Sequence, residues 1–126
     1  MRLIIGGACQ GKRTYAAAQY GLSREDIRDC SDFAPGDFAE KKCVCRFHLF
    51  LRNQMKSGGD VIAITSKIVQ SNPGILILMD EIGCGVIPME REERLWREET
   101  GRAGCYLAAH AESVERVVCG CGVRIK

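Results

Sequence analysis

Residues 6–12 read Gly-Gly-Ala-Cys-Gln-Gly-Lys, the spacing of a phosphate-binding loop. Glycines there let successive backbone N–H groups turn inward around phosphate oxygens. A following helix adds its positive end, and the lysine reaches the outer phosphates. The flanks suit this reading. "RLII" before the loop is a short apolar run, expected to form a buried strand, and "KRTYAAAQYG" after it is rich in helix formers and closed by Gly21. The candidate phosphate-binding residues are therefore Gly6, Gly7, Ala8, Cys9, Gln10, Gly11, Lys12, Arg13 and Thr14, with Lys12 the catalytic candidate. Arg13 stands where such loops carry a Ser or Thr hydroxyl for Mg²⁺. A guanidinium cannot bind a metal, although it can pair with phosphate. Thr14 lies one place late, roughly 100° further round a helix. ATP or GTP binding is thus a firmer expectation than Mg²⁺-assisted phosphoryl transfer.

A second group of chemistry-bearing residues closes the run "ILILMDE" at 75–81. Continuous apolarity without alternation suggests a strand covered on both faces, as in a parallel sheet. Parallel sheets bind ligands beyond the carboxyl ends of their strands, which brings Asp80 and Glu81 toward the loop. Either could position a hydroxyl as base, and Asp80 could hold Mg²⁺ through water. His48 falls on the apolar face of a helix expected over 38–56, sharing it with Val44, Phe47, Leu51 and Met55. A histidine so placed is first a core or interface residue. In "MEREERLWREETGR" the charges read as a solvated helix face with i,i+4 pairs such as Glu90–Arg94 and Glu93–Arg97, and Arg102 is a possible phosphate or substrate contact.

The elements that must position these groups follow in order. After the first strand and helix, 23–40 is polar and loop-like, with a short strand near 27–30. Gly58-Gly59 stop the helix over 38–56. "DVIAITSKIVQ" forms another helix, capped by Asp60 and ended at Asn72-Pro73-Gly74. The strand at 75–81, a long helix over 89–114 and a C-terminal hairpin around Gly120 and Gly122 complete the chain. This order gives an α/β fold, a small, mainly parallel sheet of about four strands with covering helices, in a single domain spanning 1–126.

Composition narrows the function. Eighteen basic and sixteen acidic residues leave a net charge of +2, with three Tyr, four Phe and one Trp. That gives neither the basic face nor the stacking platform of a nucleic-acid binder. No stretch approaches the roughly 18 apolar residues of a membrane span. Eight cysteines are many, but "MRLIIGG" has no secretory pattern, so the expectation is a cytoplasmic protein with free thiols. An alternative is a four-thiolate metal site built from Cys43/Cys45 and Cys119/Cys121. Apolar residues around Phe47, Phe50 and Leu51 would suit self-association if exposed.

"MDEIGCGVIPMEREERLWREETGR" and the ending "VERVVCGCGVRIK", with the opening Gly6, Gly7, Ala8, Gly11 and Lys12, resemble the adenosylcobinamide kinase / adenosylcobinamide-phosphate guanylyltransferase family of cobalamin biosynthesis. The resemblance covers about 1–20 and 75–126, and this chain is shorter in between. It implies a RecA-like P-loop fold, a homo-oligomer, and nucleotide and corrinoid small molecules as ligands. It also implies phosphorylation of adenosylcobinamide followed by GMP transfer through a histidine. Glu81 matches the family's glutamate, Asp80 replaces its asparagine, and His48 with Arg52 reproduces His-x-x-x-Arg. The rival reading is a non-catalytic nucleotide- or corrinoid-binding module.

Overall fold

A computed structural model describes residues 1–126. The chain forms β1 (Arg2–Gly6), α1 (Lys12–Tyr20), β2 (Ile27–Asp29), β3 (Cys43–Cys45), α2 (Phe47–Lys56), α3 (Val61–Ser71), β4 (Leu76–Asp80), α4 (Arg91–His110), β5 (Ser113–Val118) and β6 (Cys121–Arg124). Two 3₁₀ turns, Arg24–Asp26 and Pro35–Phe38, punctuate the polar segment. The strands make one six-stranded sheet in the order β2-β3-β4-β1-β5-β6. All neighbours are parallel except β5 and β6, which form the antiparallel C-terminal hairpin. Strand β1 thus lies between β4 and β5, with β3 outside β4, the arrangement of a RecA-like P-loop fold.

Alternation along the strands sorts the core onto two faces. Leu3, Val44, Ile77, Met79 and Val114 face a cluster with Phe47, Phe50 and Leu51 of α2, Val61 and Ile68 of α3, and Ala103 and Leu107 of α4. Ile4, Cys43, Cys45, Leu76, Leu78 and Val117 face the other way, with Ala16 of α1 and the partly buried Tyr15 and Tyr20. Phe38 anchors the larger cluster, meeting Phe33, Phe47 and Phe50 edge-on at centroid distances of 5.4, 5.9 and 4.8 Å. Removing such a buried ring costs about 3–5 kcal/mol.

Several expected boundaries hold for the expected reason. Gly21 takes φ 61° and ends α1 through a bond to Ala17 O, and Asp60 caps α3 by accepting the Ala63 N–H. Other expectations are corrected. The helix expected over 38–56 is a 3₁₀ turn, a strand and a shorter helix. Cys43-Val44-Cys45 is fully buried between β2 and β4, and three apolar residues are too few to betray their period. Six strands replace the expected four. The long helix stops at His110, because Ser113 onward pairs with β1. Phe47, Phe50 and Leu51 are wholly buried, so they form core and offer no association surface. Cys43 and Cys45 sit beneath α1 while Cys119 and Cys121 flank the β5–β6 turn, with β4 and β1 between the two strands. The four-thiolate site is ruled out by that separation, and no group of three or more potential ligands gathers elsewhere. Burial pushes the Cys43 thiol up to about 12. No helix is long and apolar enough to cross a membrane.

The smaller face holds one buried carboxylate. Glu115 on β5 accepts hydrogen bonds from the hydroxyls of Tyr15 and Tyr20, which tie α1 to the sheet and satisfy the acid. The bond to Glu115, then burial, raises the Tyr15 hydroxyl to about 12. The hairpin leaves no room beside that ring: a Cβ at Gly122 would lie 2.0 Å from Tyr15 Cζ. Gly122→Ala should therefore destabilise the fold by about 1–3 kcal/mol in urea melts. In a Tyr15→Ala background the same change should cost almost nothing, and an equal loss in both backgrounds would contradict the packing described.

Candidate functional site

The carboxyl ends of β1, β4, β3 and β2 deliver Gly6, Asp80, Cys45 and Asp29 to one edge of the sheet. Above that edge the loop from Gly7 to Gly11 leads into α1, and Arg46 leads into α2. Between the two helix N-termini lies an open cleft of about 560 Å³. Ala8, Gln10, Lys12, Arg13, Arg46 and His48 are among the residues lining it, with Asp80 at its floor.

The loop has the backbone its sequence requires. Cys9 adopts φ 58° and Gly11 φ 83°, left-handed conformations that curl the chain. Gly6 cannot carry a side chain, since a Cβ there would lie 2.3 Å from Val117 O. The β5–β6 turn braces the loop from behind. Gln10 Oε1 accepts the Cys119 N–H at 2.7 Å, Gln10 O accepts the Gly120 N–H at 2.8 Å, and Gly11 abuts Gly120. Nothing in the sequence pointed to this brace, because its partners lie more than a hundred residues apart.

Lys12 folds back under the loop. Its Nζ donates to Gly6 O at 3.1 Å and Gly7 O at 2.7 Å and sits 2.6 Å from Asp80 Oδ1. The other Asp80 oxygen lies 3.6 Å from His48 Nε2, while His48 Nδ1 accepts the Asp80 backbone N–H at 3.1 Å. That bond places the neutral ring's proton on Nε2. Burial lowers the His48 pKa, assisted by Lys12 and Arg46 and opposed by Asp80. Trp96 fixes the ring from α4, stacking at 6.2 Å and donating its Nε1–H to His48 O at 2.8 Å. Arg52 lies over the Trp96 ring and pairs with Glu93.

Of the sequence candidates, the loop residues Ala8–Thr14, His48 and Asp80 therefore meet in one cleft. Glu81 does not: it binds Arg116 on β5 at 2.9 Å and does not line the cleft. Arg102 pairs with Glu98 and Glu99 and borders a different depression, near Gly58 and Asp60. The helix-face pairs expected of Arg94 and Arg97 are replaced by bonds to loop carbonyls, Pro88 O and Met89 O for Arg94 and Gly83 O and Val86 O for Arg97. These guanidiniums thereby pin the glycine-rich loop after β4.

One cleft residue had no sequence signal, because it lies inside what reads as a continuous helix. Arg46 takes φ 61°, ψ 33° at the start of α2, a left-handed conformation costing a non-glycine residue about 1–3 kcal/mol. Its guanidinium lies 3.1 Å from Asp29 Oδ2, the oxygen that Arg13 also approaches, at 3.8 Å. Ser31 holds the other oxygen through its N–H at 3.0 Å and hydroxyl at 2.8 Å. Partial burial works against ionisation of Asp29, but the Ser31 bonds and the two arginines outweigh it and keep the carboxyl below its usual range.

The arrangement can cradle an anion on backbone N–H groups and place cations around it, with Asp80 among the residues lining the cleft. The chain is similar in sequence to proteins of one family. A family model described as cobinamide kinase / cobinamide phosphate guanyltransferase matches residues 43–125. The bifunctional adenosylcobalamin biosynthesis protein CobU of Salmonella typhimurium is 40% identical over 68 residues, covering 53% of this chain and 38% of that protein. The Escherichia coli K12 protein of the same name is 40% identical over 52 residues, or 41% of this chain and 29% of that protein. The aligned part of the chain is thus well under half the length of either relative. The family model itself runs from β3 through Asp80 and α4 to the end of the hairpin, more than half of the sequence, and on that extent the chain belongs to the cobinamide kinase / cobinamide phosphate guanyltransferase family.

Proposed function

We propose that this chain binds ATP or GTP in the cleft above Gly6–Thr14 and transfers the γ-phosphoryl group to the hydroxyl of a cobinamide-type corrinoid in cobalamin assembly. The observation that carries the reading is Lys12 held 2.6 Å from Asp80 at the mouth of a loop with phosphate-cradling backbone. Family membership supplies the substrate class.

In this reading the loop N–H groups and the N-terminus of α1 hold the nucleotide phosphates. Lys12 moves from Asp80 to the outer phosphates, where it stabilises charge developing in transfer. The corrinoid hydroxyl oxygen bonds to the γ-phosphorus as the bond from that phosphorus to the bridging oxygen breaks. The nucleoside diphosphate leaves with the electron pair, and the hydroxyl proton passes to Asp80. His48 orients Asp80 through its backbone N–H. Both ring nitrogens of His48 face Asp80, which favours this positioning role over that of a guanylyl acceptor.

The donors for Mg²⁺ do not fit. Position 13 carries a guanidinium, Thr14 alone offers a hydroxyl nearby, and no three ligating side chains converge. That shortage favours one rival reading, a module that binds nucleotide or corrinoid without turning it over.

Two outcomes test the proposal. Label from γ-phosphate of ATP or GTP should appear on adenosylcobinamide, and Lys12→Ala should lower that rate by about 100-fold or more. Nucleotide-dependent thermal stabilisation with no label transferred would favour the binding module. His48 supplies a pH signature. Its folded pKa lies below the unfolded value of about 6.5, so the unfolded chain binds the extra proton. Its stabilisation is complete above about pH 6.5 and is lost as pH falls below that value. Wild-type Tm should drop between about pH 7.5 and 5, and His48→Gln should flatten the drop. An unchanged profile in the variant would refute the assignment.

A further inference from the structure

We infer that Arg13 and Arg46 form a two-arginine clamp for the nucleotide's outer phosphates, doing the charge neutralisation that a divalent cation performs elsewhere, so that nucleotide binds here without Mg²⁺. The inference rests on the nucleotide-binding reading above and adds to it the cationic partner.

Arg13 lies in the first turn of α1 and Arg46 caps the start of α2, so both side chains line the cleft. They converge on the same oxygen of Asp29, at 3.8 and 3.1 Å, and both remain about half exposed, 54% and 55%. Ser31 occupies the other oxygen of Asp29, which fixes the carboxylate as a hinge between two guanidiniums. A single carboxylate cannot neutralise two guanidiniums, so the pair retains charge for an incoming anion. Lys12 is matched by Asp80 at the cleft floor. Across the cleft, three fixed cations face two carboxylates.

Two features make this arrangement more than a surface ion pair. Arg46 holds a left-handed backbone conformation that an arginine adopts rarely. Strain of that kind persists where surrounding structure enforces it and gathers at ligand clamps. Arg13 replaces the hydroxyl that would hold a metal, and what it brings is a planar fork suited to two phosphate oxygens at once. The site has thus lost a metal ligand and gained the alternative neutraliser, presented from two rigid helix starts. A polyphosphate on the loop N–H groups would meet Lys12 from below and the two arginines at the rim.

The test is calorimetric titration of the full chain with ATP and with GTP, each in EDTA and in magnesium chloride. Affinity should differ by less than about threefold between the two conditions. Arg46→Ala and Arg13→Ala should each weaken binding in EDTA by about tenfold or more, the loss expected for a charge-assisted phosphate contact. Arg13→Ser should make binding depend on magnesium. Both arginines are exposed, so circular dichroism should show the variants folded. Tight binding in magnesium that is lost in EDTA would overturn the clamp and leave the nucleotide reading standing. Arginine variants that bind like wild type in EDTA would do the same. Absence of binding in either condition would overturn both.

Discussion

Parallel pairing of β1 with β4, which sets Gly6 directly opposite Asp80, is the constraint on which the site depends. It places the only carboxylate of the cleft floor beside the start of the Gly6–Gly11 loop, where Lys12 can reach both. The register is held by Leu3 with Ile77 on one face and Ile4 with Leu78 on the other, all nearly or wholly buried. Since side chains alternate along a strand, a slip of one residue would exchange the residues packed on the two faces and carry Asp80 away from Gly6. Hydrophobic burial of the strand pair thus fixes a polar contact at its end.

Around that axis the remaining elements act as supports. The β5–β6 turn holds Gln10 and Gly11 from behind, and Glu115 with two tyrosines fastens α1, whose first residues complete the loop. On the other face Trp96 steadies His48, and His48 accepts the backbone N–H of Asp80. Asn72, after α3, donates to Phe38 O and Lys41 O at 2.9 and 2.8 Å and so secures the segment leading into β3. The strand ending at Cys45 is what brings Arg46 to the cleft.

Legibility in the sequence followed the range of the interactions. The strand, glycine loop and helix around Gly6–Lys12, the Gly21 and Asp60 caps, β4 with Asp80 at its end and the hairpin were readable because each is a local signal with a mechanism. Strand β3 was not, since Cys-Val-Cys carries no period and only its pairing on both sides makes it a strand. That one omission also hid Arg46, which lies inside what reads as a continuous helix, and it left Phe47 and Phe50 looking free to meet a partner. Glu81 follows β4 as expected, yet Arg116 from β5 draws it away. The convergence of Arg13 and Arg46 on Asp29 joins three separate elements, so no spacing could reveal it.

In the proposed function the loop and Lys12 receive a triphosphate while Asp80 faces the acceptor. The most direct measurement is a crystal structure with a non-hydrolysable analogue of ATP or GTP. The phosphates should lie within the backbone N–H groups of residues 7–12, with Lys12 Nζ transferred from Asp80 to the outer phosphates and Arg13 and Arg46 turned from Asp29 onto them. An analogue bound elsewhere, or seated in the cleft with Lys12 still on Asp80, would contradict the proposed function.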